Sequence, residues 1–454
     1  MIININDRNG KGDGKTLNTS VIQSCIDECH LSGGGVVQLG TGIYLCGGIY
    51  LKNNVTLEIP MGATLLANPD ISDYGDDTHY QRYQNEHDLD RCWIYAQDSE
   101  NISVCGLGTI DGNAQAFPNY GSIYRPMMFR FLHCKHIRIE GLKLYNAASW
   151  TTAFLDSSFI WTTGLDIRNH HNYNGDGLDF DGCNHVFVDN CYIQGTDDNL
   201  CLQSSSKDYI VENINITNCT FSSICAAIRI GLKSIGTIRN VVISNCAMQN
   251  VWKEGIKIEC SEGGAIEDIV VNGIVMRNVS KPIYLMLNNK FDMSGLGNSI
   301  SLTEIPAIGE MRRIIIQNVI ATDDEVMKEP KLRFGKDLMG SAWFNGIRID
   351  ANENKKIKDV TLSNIRYRAI GGVTLADIPA NYPDVYDLLT NPQEMGSGNY
   401  YPDWSRTAFM DIRCVDGLYL SNVAFENNYA DERPPYFIEK CHVIQEEVFV
   451  KEEV

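Results

Sequence analysis

One phrase recurs along the chain: apolar, any, apolar, any, Asn, with another apolar residue one or two positions on. It reads Val186, Val188, Asn190; Ile214, Ile216, Asn218; Val241, Ile243, Asn245; Ile314, Ile316, Asn318; Val360, Leu362, Asn364; and Leu418, Leu420, Asn422. Counted between first residues, the step is 28 from 186 to 214, 27 from 214 to 241, and 28 from 241 to a weaker copy at Ile269. Fixed self-similarity in this range marks stacked repeats. Alternation of period two in Val and Ile makes the repeating element a short strand, which excludes helical solenoids. A leucine-rich repeat would carry Leu at these positions. Asn suits a sharp bend, because it tolerates left-handed backbone geometry and can form a side-chain ladder. The pattern predicts an all-β fold, a right-handed parallel β-helix whose coils stack at roughly 4.8 Å.

Weaker copies at Ile102, Ile137 and Ile160 carry Gly106, Gly141 and Gly164 at the bend, so the repeat extends upstream. A length of 454 residues would ordinarily suggest about three domains, yet the repeat runs through most of the chain, and a single domain over 1–454 is expected. Residues 18–31 place Val21, Ile22, Cys25, Ile26 and Cys29 on one helical face, behind Asn18, Thr19 and Ser20 as candidate N-caps. This N-terminal helix is expected to cap the open end of the solenoid. Excursions from the coil are expected near 71–92, 281–308 and 372–408.

Charge narrows the partners. Lys and Arg number 38 against 57 Asp and Glu, a net charge of −19, which disfavours nucleic acid and anionic membrane surfaces. The first residues lack a basic n-region and an apolar h-region, so a cytoplasmic location is expected. Fifteen scattered cysteines are read as reduced, without zinc spacing. Cys191, Cys219 and Cys246 follow the repeat asparagines and predict a buried thiol stack.

Asn174-Gly175-Asp176-Gly177 precedes Gly195-Thr196-Asp197-Asp198 by 21 residues, close to one coil. Stacking then brings Asp176 beside Asp197 and Asp198. Any one Asp next to Gly is ordinarily a turn residue. Three together repel, and the group can supply one acid and one base, as glycoside hydrolysis requires. Arg229 lies 31 residues past Asp198, and Lys257 a further 28, which puts cations on the following coils. Arg229 and Glu259 are equally well read as an ion pair. His170, His171 and the aromatics Trp150, Trp161, Tyr173 and Tyr192 are read as turn and packing residues.

These motifs resemble the polygalacturonases and relatives of glycoside hydrolase family 28. The likeness runs from INDRNGKGDGKTLNTSVIQSCIDEC through GGIYLKNNVTLEIPMGATLLANPDISDY and the two Asp motifs to the late YADERPPYF stretch. It implies a pectin-lyase-like solenoid and an inverting hydrolase of O-glycosyl bonds with no metal and no organic cofactor. Carried over residue by residue, Asp197 is the expected general acid. Asp176 and Asp198 are expected to hold and deprotonate water, and Asn174, Arg229, Lys257 and Glu259 to bind an oligosaccharide substrate.

Departures from the family pattern bear on the substrate. Where relatives usually show Gly-His-Gly, this chain has Cys225-Ala226-Ala227; where they show Arg-Ile-Lys, it has Lys257-Ile258-Glu259, or Gly255 and Lys257 if the register shifts by two. Gln203 stands where relatives often carry lysine. A charge-assisted hydrogen bond contributes roughly 1.5 to 3 kcal/mol, so losing cations weakens uronate binding. The expected reaction is hydrolysis of an α-glycosidic bond beside a neutral or differently charged sugar, in pectin-related or other oligosaccharides, and not in ordinary polygalacturonan. Two rivals are a non-catalytic carbohydrate-binding β-helix and a calcium-dependent polysaccharide lyase, whose cation three clustered aspartates could hold.

Overall fold

The computed structural model describes residues 1–78, 91–119, 124–288, 307–377 and 405–451. They fall into two compact units, Met1–Leu200 with Asn213–Cys219, and Cys201–Glu212 with Thr220–Val454.

The first unit is a parallel coil with three short strands per turn. Met127–Leu132, Lys135–Glu140 and Lys143–Tyr145 form one turn, and Thr152–Leu155, Ser158–Thr163 and Asp166–Arg168 pair with them in order, all parallel. Ile102, Ile137, Ile160 and Val186 lie in one column, so the weak upstream phrases are true rungs. Their bend glycines Gly106, Gly141 and Gly164 have φ of 127°, 75° and 63°, a region a side chain would resist. Phe131, Phe154 and Phe180 stack inside the coil with centroids 5.1 and 4.9 Å apart. Each such buried ring contributes about 2 to 3 kcal/mol by area. The predicted helix spans Thr19–Leu31 and buries Ile22, Cys25, Ile26 and Cys29 against the first strands, with Val21 half-buried. Asn18 does not cap it through its side chain. That amide accepts from Lys11 N and donates to Thr16 O, bracing the preceding turn.

The second unit repeats the design on longer strands. Val241, Ile269, Ile314, Val360 and Leu418 form one buried parallel column. At its bend the asparagines do both things the sequence suggested. Asn318, Asn364 and Asn422 have φ of 56°, 54° and 55°. Their amides also chain together: Asn318 Nδ2 donates to Asn272 Oδ1 at 2.7 Å, Asn364 to Asn318 at 2.6 Å and Asn422 to Asn364 at 3.1 Å. All fifteen cysteines are free thiols, and Cys191 N donates to Cys219 Sγ at 3.4 Å within the first unit.

The excursions need correction at their edges. Residues 281–287 belong to the strand Ala265–Leu287, because Ile283 and Leu285 keep the inward alternation and are buried. Of the three expected excursions, 79–90, 289–306 and 378–404 lie outside the described residues. A further departure was not foreseen. Between Thr322 and Ile347 the chain forms a 3-10 turn, Glu325–Lys328, and an antiparallel hairpin, Lys331–Arg333 with Asp337–Gly340. No described helix is long and apolar enough to cross a membrane.

Candidate active site

In the first unit two successive turns carry the acidic motifs, and close backbone approach explains their glycines. A Cβ on Gly177 would stand 2.2 Å from Asn199 O, and one on Gly175 would stand 2.5 Å from Thr196 Oγ1. The same approach stitches the turns together. Gly177 N donates to Asp198 O at 3.1 Å, Gly175 N donates to Thr196 Oγ1 at 3.1 Å, and that hydroxyl donates to Asn172 O at 2.5 Å. Asp176 O accepts from Thr151 N at 3.1 Å and Thr151 Oγ1 at 2.7 Å.

This stitching brings the three predicted carboxylates together. An oxygen of Asp176 lies within 4.8 Å of one on Asp198, and an oxygen of Asp197 lies within 4.8 Å of one on Asp198. Asp198 is therefore central. Asp176 and Asp198 are buried, while Asp197 is partly exposed and its Oδ1 accepts from Asp198 N at 3.1 Å. Such a pair of environments suits an acid that reaches a leaving group and a base held behind it.

More carboxylates line this face than the motifs foretold. On the strand Leu178–Asp181, Phe180 points inward, so Asp179 and Asp181 point outward, and both are buried. The Leu-Asp-Phe-Asp alternation carried that signal. Beside them Asp98, His133 and Asp156 form a ladder across three turns, with His133 Nδ1 3.2 Å from Asp98 Oδ1 and Nε2 3.5 Å from Asp156 Oδ2. Asn174, expected at the substrate, has φ of 58°, and its Oδ1 accepts from Arg125 Nη2 at 3.0 Å. His170 and His171 are exposed, as turn residues; desolvation of the His170 ring by its neighbours lowers its proton affinity, and His171 adds to this.

The predicted cations lie in the second unit, on neighbouring parallel strands. Arg229 sits beside Lys257, and Gly231 beside Glu259. Ile256 and Ile258 are fully buried, so Lys257 and Glu259 share the opposite face. Glu259 Oε2 lies 3.6 Å from Arg229 Nη2 and 3.8 Å from Lys257 Nζ, and Glu254 Oε2 lies 3.6 Å from Lys257 Nζ. Two cations thus meet two carboxylates. Glu259, expected at the substrate, has no exposed surface and faces those two cations instead. Gln203 is buried on the outward side of Leu200–Ser204.

Sequence reasoning missed the continuation of this row. Lys257 is followed by Tyr284, then Arg348, then Asp411. Lys257 Nζ stands 5.5 Å from the Tyr284 ring centroid. Lys281, opposite Glu254, is pushed down to about 8 by burial, with Glu254 opposing. Asp350, next to Met286, is pushed up to about 7 by burial, with Arg348 opposing and Asp411 adding. Arg348 and Asp350 follow a glycine, in Asn345-Gly346-Ile347-Arg348-Ile349-Asp350, whereas Lys281, Tyr284 and Asp411 carry no such mark.

The sequence profile described as Glycosyl hydrolases family 28 matches residues 52–365. The chain belongs to this family. It is 28% identical over 312 residues to a probable polygalacturonase from Vitis vinifera, covering 62% of this chain and 62% of that protein. An exo-poly-alpha-D-galacturonosidase from Dickeya chrysanthemi is 22% identical over 435 residues, covering 80% of this chain and 71% of the other. Among solved structures, the family 28 exopolygalacturonase of Yersinia enterocolitica superposes with a TM-score of 0.70 at 17% identity, covering 99% of this chain and 78% of that one. The fold is thus the right-handed parallel β-helix of family 28. The chain spans under two thirds of the plant relative's length.

Proposed function

We propose that this family 28 glycoside hydrolase cleaves an α-glycosidic bond by inversion. The reading rests on the Asp176, Asp198 and Asp197 cluster. In it Asp197, the most exposed of the three, protonates the leaving oxygen. Asp176 and Asp198 hold a water on the other side of the sugar and take its proton, so that one displacement inverts the anomeric carbon. Carboxylates this close repel when all are ionised, a condition that favours one protonated and one ionised partner.

The preferred sugar is neutral or carries its charge elsewhere. What supports this is the pairing of Arg229 and Lys257 with Glu259 and Glu254, which leaves that group of side chains without net positive charge. Attack from a chain end is supported by contacts in the first unit: Tyr50 Oη donates to Asp77 Oδ1 at 2.6 Å, and Arg130 donates to Thr78 O. Arg130 alternates with the inward Phe129 and Phe131, so residues up to Thr78 cross the outer face of that strand. On the next rung Ala153 and Leu155 are buried with Trp150. The Dickeya relative is named for exo action.

The test is a parallel assay on polygalacturonate, its short oligomers and neutral α-glycosides, with product configuration followed by proton NMR. Rapid cleavage of polygalacturonate alone rejects the substrate reading. Retention of configuration rejects the mechanism, and an unsaturated product lost with chelator favours a lyase.

A further inference from the structure

We infer that Arg125 is a positioning residue for Asp176, setting the turn on which the proposed base sits. The inference rests on the hydrolase reading above. Arg125 lies just before the strand Met127–Leu132 and has no exposed surface. Its Nη1 donates to Tyr173 O at 2.5 Å, Ala148 O at 3.3 Å and Asn119 O at 3.4 Å, and its Nη2 donates to Asn174 Oδ1 at 3.0 Å. Those acceptors come from three separate loops, 23 to 49 residues away along the chain from Ala148 to Asn174 and 6 residues before it at Asn119.

The arrangement acts on one peptide. Asn174 is held in the left-handed region at φ 58°, two residues before Asp176, and the guanidinium grips both its side chain and the carbonyl before it. On the far side Asp176 O is held by Thr151 N and Oγ1, with Asn169 Nδ2 donating at 3.3 Å. Asp176 therefore sits on a segment fixed at both ends, and Arg125 is the end that a single side chain controls. A planar guanidinium reaches several carbonyls and an amide at fixed angles, which an ammonium cannot reproduce. If that end relaxes, Asp176 shifts relative to Asp198, and a displacement on the order of 1 Å of a catalytic group lowers rate about 100-fold.

The experiment compares the native protein with Arg125→Lys, Arg125→Ala and Asn174→Gly, each checked for folding by circular dichroism and thermal melting. Asn174→Gly keeps the left-handed turn and removes the side-chain amide, with it the Oδ1 that accepts from Arg125. Kinetics use whichever α-glycoside the native protein hydrolyses, across pH 4 to 9 taken as roughly the range of carboxylate control. Expected are a kcat about 100-fold lower for Arg125→Ala, an intermediate loss for Arg125→Lys and Asn174→Gly, KM within about threefold, a displaced pH profile, and partial rescue of Arg125→Ala by added guanidinium. Unchanged kcat per folded molecule in Arg125→Lys and Arg125→Ala overturns the inference. So does a rise in KM at constant kcat in Asn174→Gly, which would make Asn174 a substrate ligand. Absence of hydrolysis by the native protein would instead sink the hydrolase reading.

Discussion

Replacing Asp323 by Asn should make the protein more stable at neutral and alkaline pH, and by an amount the surroundings of this residue set. Its Oδ2 accepts from Asn345 Nδ2 at 2.8 Å and Tyr367 Oη at 3.2 Å, and the side chain is buried. Burial pushes its proton affinity up from 3.8 to about 7, with Tyr367 opposing the rise and Asp324 adding to it. Because the folded value lies above the unfolded one, the neutral form is the stabilised form. The stabilising effect is complete below pH 3.8, declines as pH rises, and is gone above about 7. At 1.36 kcal/mol for each pH unit, the interval from 3.8 to about 7 corresponds to a ceiling of about 4 kcal/mol. The substituted amide would have no proton to lose and one oxygen, which can serve Asn345 and Tyr367 as Oδ2 does. The backbone N–H groups of Ile370 and Val279, which also bond this carboxyl, lose part of their acceptor, so the gain falls below that ceiling. Urea unfolding of both proteins at half-unit steps from about pH 4 to 9 should show curves that nearly meet at the acid end. They should diverge up to about pH 7 and run parallel beyond it. Any slope common to both belongs to groups other than Asp323, among them Asp350, also pushed up to about 7, and Lys281, pushed down to about 8. Parallel curves throughout, or a less stable variant at pH 8, would refute the reasoning.

Three other outcomes are expected. Asp197→Asn should lower kcat by at least about 100- to 10,000-fold with the fold intact, read by reducing-sugar release; an unaltered rate would favour a non-catalytic binding protein. Glu259→Gln should release Arg229 and Lys257 from one partner and tighten binding of galacturonate oligomers about tenfold, measured by calorimetry; weaker binding would contradict the pairing argument. Asn364→Ala breaks two links of the amide chain and should destabilise the second unit by about 1 to 3 kcal/mol, seen as faster hydrogen exchange in the strands Glu310–Thr322 and Val415–Tyr429.

What could be read from the sequence is whatever repeats. The column from Val241 to Leu418 and the bends at Asn318, Asn364 and Asn422 were legible because each coil meets the same environment and so selects the same residue type. Asp176 and the Asp197-Asp198 pair were legible because glycines flag the close approach of their turns. Arg125 was not, since its partners are carbonyls of any residue type and leave no mark. Asp179 and Asp181 were hidden in an ordinary strand alternation. The hairpin Lys331–Arg333 with Asp337–Gly340 was missed because its strands are three and four residues long, too short for a period to emerge. The start of the second excursion was set too early, since Lys281 and Pro282 look like a strand end while Ile283 and Leu285 continue it.

The amide chain from Asn272 to Asn422 has an arithmetic of its own. Every interior member both gives and takes one hydrogen bond, so a complete extra turn could be spliced between any two without orphaning either neighbour. Half a turn could not, because it would set an aliphatic side chain where the amide belongs. Such a solenoid can lengthen or shorten only in integral steps, and evolution can resize the molecule while every surviving rung keeps its original neighbour-to-neighbour grammar.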